Sequence, residues 1–212
     1  MSAPAITVCC VKWGTKFGPE YVNRLFAGVT RHLAIPFEFV CFTDDAAGIR
    51  PEVRTEPPLC DYPRQWGKLG LFRPAIPAIR TERLFYFDLA CVIVGDLAPA
   101  AEFPGDFAIC RDWPPEIRPD DGSYASGAFL LRVGARPAVW ERFDMAHPPT
   151  WGDQAWIYRV APGAALFPYD WSPSYKLRGL AAGCPPGAKW IMFHGRPKPH
   201  EVGGWIREHW RD

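Results

Sequence analysis

The sequence predicts an α/β protein, a sheet of buried strands with helices on both faces. Three observations carry this expectation. Leu84 to Val94 (LFYFDLACVIV) holds two apolar runs broken by one carboxylate, Asp88. Runs so rich in Leu, Phe, Tyr and Val read as strands buried on both faces, as in a parallel sheet. The first 43 residues read strand, helix, strand, which predicts a parallel pair joined by a right-handed crossover. Further strand-like runs recur to the end of the chain, separated by loops and helical stretches.

In order, Ile6 to Val11 is a strand, and Lys12 to Pro19 (KWGTKFGP) is a glycine-punctuated loop. Pro19 suits the first turn of a helix. Tyr21, Leu25, Val29 and Leu33 recur every four residues, so Glu20 to Leu33 is an amphipathic helix. Phe37 to Thr43 is the second strand, closed by Asp44 and Asp45. Arg50 to Pro63 is Pro-rich and has no period. Gln65 to Phe72 is a short helix carrying Lys68, and Phe107 to Arg111 is another strand. Asp112 to Gly122 is a polar loop of the kind that lies over a site. Tyr124 to Val133 is a strand interrupted by Ser126 and Gly127; an interior glycine marks a close approach of backbone or ligand. Pro137 to Met145 is helical, Asp153 can cap a helix through Val160, Lys189 to Phe193 is a last strand, and Trp205 to Trp210 is helix-like.

Bulk properties narrow the function. The 212 residues fit one domain spanning 1–212, and 48% hydrophobic content supplies a core. The net charge of +1 gives no electrostatic case for nucleic acid. No apolar run approaches the roughly 20 residues of a transmembrane segment. MSAPAITVCC enters a strand with no basic region before it, unlike a signal peptide. The seven cysteines are odd in number, mostly within apolar runs, and have no zinc-ligand spacing. They read as free thiols in a reducing, cytoplasmic setting. Ten Trp are present, of which Trp13, Trp113 and Trp171 fall in loops where a ring can stack on a sugar or base. Trp205 and Trp210 are candidates for an acceptor site or a subunit contact.

Four places at strand ends, or in the loops after them, gather chemistry: Asp88; Ser126 with Gly127; Asp153 with Gln154; and His194 with Gly195 and Lys198. In an α/β fold such edges hold the ligands. Carboxylate and imidazole suit a hard divalent cation on a diphosphate, a lysine neutralises remaining phosphate charge, and a second carboxylate with an amide can handle the departing group. This set suits transfer from a nucleotide-diphosphate donor. Each also has a plainer reading: Asp88 held by backbone donors, Asp153 as a helix cap, His194 as an ordinary strand-end residue, Lys68 as a solvated surface lysine.

In these motifs the chain resembles retaining glycosyltransferases of the GT-A fold, especially family 8 and related bacterial transferases. Their metal strand, LYLDxDxxVxGDL, is similar to FYFDLACVIVGDL here, Phe85 to Leu97. Their Asn-Ser-Gly strand corresponds to Ala125-Ser126-Gly127, and their Asp-Gln-Asp helix start to Asp153-Gln154-Ala155. Their His-x-x-Gly-x-x-Lys-Pro-Trp motif corresponds to His194 through His200, two residues shorter. The motifs keep the family's order over about Ile6 to His200.

The resemblance implies a Rossmann-like mixed sheet and transfer of a sugar, with retention, from a nucleotide-sugar donor to a glycan or lipid acceptor hydroxyl. It implies that Asp88 and His194 bind Mn2+ or Mg2+, and that Asp153 and Gln154 are the catalytic pair beside the donor sugar. Lys68, Ser126, Gly127, Gly195 and Lys198 would bind substrate. Residues 10–17 with Thr43 and Asp44 would hold the base and ribose. Three polar family positions are alanine here: Ala90 at the second metal aspartate, Ala125 and Ala155. An alanine cannot hold a metal, and Asp96, six residues after Ala90, is too distant to replace it. These alanines also admit a non-catalytic nucleotide-sugar or glycan binding module that retains the fold.

Overall fold

The computed structural model describes residues 4–112, 123–150 and 152–212. Its centre is a seven-stranded mixed sheet. The strands in chain order are β1 (Ile6–Lys12), β2 (Phe37–Thr43), β3 (Arg54–Glu56), β4 (Arg83–Phe87), β6 (Phe107–Arg111), β7 (Tyr124–Arg132) and β8 (Ala165–Leu166). They lie in the spatial order β3-β2-β1-β4-β7-β6-β8. A separate two-stranded sheet pairs β5 (Cys91–Ile93) with β9 (Trp190–Met192). The helices are α1 (Pro19–His32), α2 (Ala98–Ala101), α3 (Ala138–Glu141), α4 (Gly152–Val160) and α5 (Trp205–His209). Three 3-10 segments complete the set: Arg64–Phe72, Tyr169–Trp171 and Pro199–Glu201.

The opening strand–helix–strand unit forms as expected, with β1 and β2 parallel over Ile6↔Phe37 to Lys12↔Thr43. Pro19 begins α1, Glu20 sits in its first turn and Arg31 and His32 in its last, complementing the helix dipole. Tyr21, Val22, Leu25 and Val29 turn to the core. Gly28 lets the helix close on β5: a Cβ there would stand 3.1 Å from the Ile93 Cβ.

Both faces of the sheet are buried, and strand alternation divides them cleanly. Val8, Cys10, Phe39, Cys41, Phe85 and Phe87 face α1, β5, β9 and α5. Cys9, Val40, Phe42, Leu84, Tyr86 and Phe129 face the 64–72 segment, α3 and α4. Each such aromatic or aliphatic side chain removed from water stabilises the fold by about 1.5–3 kcal/mol. Of the cysteines, Cys9, Cys10, Cys41, Cys91 and Cys110 are buried and free.

Several local expectations are corrected. The central run is not an all-parallel strand: β4 is parallel to β1 but antiparallel to β7. It ends at Phe87, residues 88–90 turn, and the second apolar run leaves the main sheet to pair with β9. The Pro-rich 50–63 stretch contributes the edge strand β3. The 64–72 segment is a 3-10 rather than an α-helix, and the helix expected over 137–145 is regular only for Ala138–Glu141. Ala165–Leu166 adds a strand that had no sequence signal, because two residues carry no period. Asp96 has a structural task, its Oδ1 accepting from the Ala98 N–H at 2.9 Å at the start of α2. Trp171 packs against Phe103 and Phe167 and Trp210 against Tyr21, so both are built into the fold. Trp113 and the rest of the 113–122 loop lie outside the described residues. No helix among them is long and apolar enough to cross a membrane.

Candidate functional site

The carboxyl ends of β1 and β4, the first half of β7, the start of α4 and the stretch after β9 converge on a cavity of about 800 Å³. That volume suits a small organic ligand. Strand geometry places its key carboxylate. Side chains two apart on a strand share a face, so Asp88, just past β4, follows Leu84 and Tyr86 onto the side facing the 64–72 segment. The Tyr86 hydroxyl donates to Asp88 Oδ1 at 2.5 Å, and the Asp88 N–H donates to the Gly127 carbonyl at 2.7 Å.

Beside Asp88 sits the residue that sequence placed least firmly. Lys68 is only 3% exposed, and its Nζ lies 2.9 Å from Asp88 Oδ1 and 3.1 Å from Asp153 Oδ2. It also donates to the Ser126 carbonyl at 3.2 Å and reaches Ser126 Oγ at 3.4 Å. Ser126 Oγ donates to Asp153 Oδ2 at 2.5 Å. Burial works to discharge this ammonium, but Asp153 and Asp88 more than offset it, so its pKa rises above the ordinary lysine range. Tyr86 is likewise pushed well up, by burial and then by Asp88, and keeps its proton. The solvated-lysine reading is therefore wrong. Asp153 is also more than a cap: its carboxylate joins Lys68 and Ser126 instead.

A register shift shapes the β7 side. Ile109 pairs with Phe129 but Cys110 pairs with Ala125, so Ser126, Gly127 and Ala128 are skipped by β6. Such irregularities re-aim side chains near sites. A Cβ on Gly127 would stand 2.9 Å from Met192 Cε and 3.7 Å from Asp88 Oδ2. The glycine thus keeps the floor open between β9 and Asp88.

Of the expected site residues, Asp88, Lys68, Ser126, Gly127, Asp153, Gln154, His194 and Lys198 all line the cavity. Gly195 does not; its φ of +65° turns the chain between His194 and Lys198. The Gln154 amide donates to Asp112 Oδ2 at 3.2 Å. His194 Nε2 lies 2.6 Å from Ser174 Oγ, and burial, then Lys176, pushes the pKa of its ring down. From the first loop, Val11, Trp13, Thr15, Lys16 and Phe17 reach the cavity. Thr43 and Asp44 line a separate, smaller depression, where Asp44 accepts from the Gly14 N–H at 3.0 Å.

Sequence reasoning missed Tyr86, Arg64 and Met192, which also line the cavity, and named Lys16 only as part of the 10–17 loop. Only Tyr86 carried a signal, its spacing of two from Asp88. Arg64 is the one described non-glycine residue with positive φ, at 56°. Such strain of about 1–3 kcal/mol persists where surrounding structure holds it, commonly at functional sites.

The divalent cation implied by the GT-A resemblance meets a poor donor set. Asp88 Oδ1 is committed to Lys68 and Tyr86, and His194 Nε2 to Ser174. Ala90 supplies no ligand. Among the described residues no group of three or more His, Cys, Asp or Glu side chains could hold an ion. The residues present do not fit that group.

The fold is shared with solved glycosyltransferases. An active-site glutamine-to-glutamate mutant of LgtC superposes with a TM-score of 0.68 at 13% identity, covering 96% of this chain and 93% of that one. The galactosyltransferase LgtC in complex with donor and acceptor sugar analogs gives 0.64 at 14%, with 91% and 88% covered. Apo GlyE of Streptococcus pneumoniae TIGR4 gives 0.72 at 13%, covering 98% of this chain and 59% of that one. No protein-family model and no curated protein sequence matches the chain. At these identities the likeness establishes the GT-A fold.

Proposed function

We propose that this GT-A-fold protein is a glycosyltransferase that moves a sugar from a nucleotide-diphosphate donor to an acceptor hydroxyl. The observation carrying this is the buried Lys68–Asp88–Asp153–Ser126 network in a cavity that Lys16 and Lys198 also line. Rigidly held carboxylates suit sugar hydroxyls, and ammonium groups suit phosphates. LgtC, a galactosyltransferase of this fold, was solved with donor and acceptor sugar analogs, which supports the same ligand class here.

In this reading Trp13, 39% exposed at the cavity rim, stacks on the base. Lys198 and Lys16 hold the diphosphate and stabilise the charge it gains as the sugar–phosphate bond breaks. Asp88 and Asp153, fixed by Lys68, accept hydrogen bonds from the sugar. The Gln154 amide lies beside the anomeric carbon, and attack from the face of the departing diphosphate gives retention. Glutamine was the position altered in the LgtC active-site mutant, which supports Gln154 for this place. The acceptor is a glycan or lipid hydroxyl, and the five buried thiols favour the cytoplasm as the location.

The test is a panel of nucleotide sugars incubated with the protein, with and without Mn2+, followed by nucleotide release. Turnover of one donor that falls at least about tenfold in Gln154→Ala is the expected result. Binding of a nucleotide sugar with no release from any donor favours a non-catalytic module, the reading that Ala90, Ala125 and Ala155 support.

A further inference from the structure

We infer that the donor diphosphate is held by a pair of ammonium groups, Lys16 and Lys198, with Arg64, in place of a divalent cation. The inference rests on the nucleotide-diphosphate reading above and deepens it.

Charge is the first argument. Among the described residues, the cavity lining carries four cationic side chains, Lys16, Arg64, Lys68 and Lys198, and two carboxylates, Asp88 and Asp153. With His194 neutral, positive charge is in excess along this lining, and Asp112, whose carboxylate accepts from Gln154, offsets only part of it. A nucleoside diphospho-sugar carries two negative charges on its two phosphates, enough to offset that excess by itself. A divalent ion entering with it would restore the excess in a partly enclosed space, where like charges repel most strongly.

Placement is the second. Lys68 is spent on the two carboxylates. The other three cations are not: among the described residues none of them forms an ion pair with a carboxylate. Lys16 Nζ lies 5.3 Å and Lys198 Nζ 5.6 Å from the centre of the Phe17 ring, so one aromatic side chain gathers both ammonium groups at one wall. Lys198 is anchored there by donating to the Phe193 carbonyl at 3.2 Å. Burial and then Lys16 disfavour the charge on Lys198, a cost that a bound anion relieves. Arg64 is held at the same cavity by a backbone in the left-handed region.

The third argument is the donor set already described. Asp88, the one aspartate of the metal strand at this cavity, gives an oxygen to Lys68, and Ala90 gives none.

Calorimetry with uridine, guanosine, adenosine, cytidine and thymidine diphosphates, in EDTA and in Mn2+, tests this. At least one should bind in EDTA, with Mn2+ changing its Kd less than threefold. Lys16→Gln and Lys198→Gln should each weaken it about tenfold or more, the loss of a charge-assisted contact. Ala90→Asp should weaken binding in EDTA and make it Mn2+-dependent. Unchanged melting temperatures of the lysine variants establish that they fold. Binding that needs Mn2+, or lysine variants within twofold of the parent, overturns the inference and leaves the nucleotide-sugar reading standing. No binding of any nucleoside diphosphate under either condition overturns both.

Discussion

Lys68→Met removes one ammonium from the site floor while keeping most of the side chain's volume. Two carboxylates then stand without their counter-charge. Asp153 has 11% side-chain exposure and cannot recover its hydration; Asp88, at 43%, recovers part of it. Breaking a buried ion pair costs about 3–5 kcal/mol, and the exposure of Asp88 puts this case near about 3. For a chain of this size each kcal/mol lowers Tm by about 2–4 °C, so a fall of about 6–12 °C is expected at pH 7 by circular dichroism. Alkaline pH supplies an independent check. The Lys68 pKa is raised by folding, so its contribution is complete below the ordinary lysine value of about 10.4 and is lost as pH climbs beyond it. The gap between parent and variant should stay constant to about pH 10 and close above it. Lys68→Met with Asp153→Asn should regain part of the loss, because the most buried orphan is gone. A Tm within about 2 °C of the parent, or a double variant no better than the single, refutes the reasoning.

Other outcomes follow from the same geometry. Tyr86→Phe deletes the buried hydroxyl on Asp88 and should cost about 1 kcal/mol in urea unfolding. In Gly127→Ala the new Cβ meets only the mobile end of Met192, so stability should change by less than about 1 kcal/mol, while Gly127→Val should weaken nucleotide-sugar binding at least about fivefold. His194 has its pKa lowered in the fold; its contribution is complete above the ordinary histidine value of about 6.5 and is lost as pH falls below it. The Tm of His194→Gln should therefore decline less than the parent's between pH 6.5 and 5. Arg64→Gly relieves a positive-φ residue and should raise stability by up to about 1 kcal/mol while weakening nucleoside diphosphate binding.

The parts of this site legible in the sequence are those that local pattern determines. A carboxylate closing an apolar run is costly unless it ends a strand at a site, so Asp88 declared itself. Ser126-Gly127 broke a strand pattern where the β6 register in fact slips. The α1 period and the Pro19 start fixed the opening unit. Lys68 was opaque because nothing in QWGKLGLF distinguishes an exposed lysine from one buried against carboxylates 20 and 85 residues away. The antiparallel entry of β7 beside β4 was opaque because an all-apolar strand carries no mark of its partners' direction. Lys16 entered only as part of the 10–17 loop assigned to the base and ribose, since its relation to Lys198 exists only once the fold brings both to the Phe17 ring.

The small β5–β9 ladder has a consequence for assembly. It joins Cys91 to Met192, about a hundred positions on, and the stretch directly after β9 delivers His194 and Lys198 to the cavity. The Lys68–Asp88–Asp153–Ser126 network is complete by residue 153, whereas His194 and Lys198 wait for the chain beyond 190. During synthesis, the sheet and its ion-pair network can form before these two residues have left the ribosome. A nascent chain at that stage would possess Lys16 and Arg64 with the carboxylate network, but neither His194 nor Lys198. The cavity lining would then be completed late, when one short ladder zips shut and brings His194 and Lys198 to it.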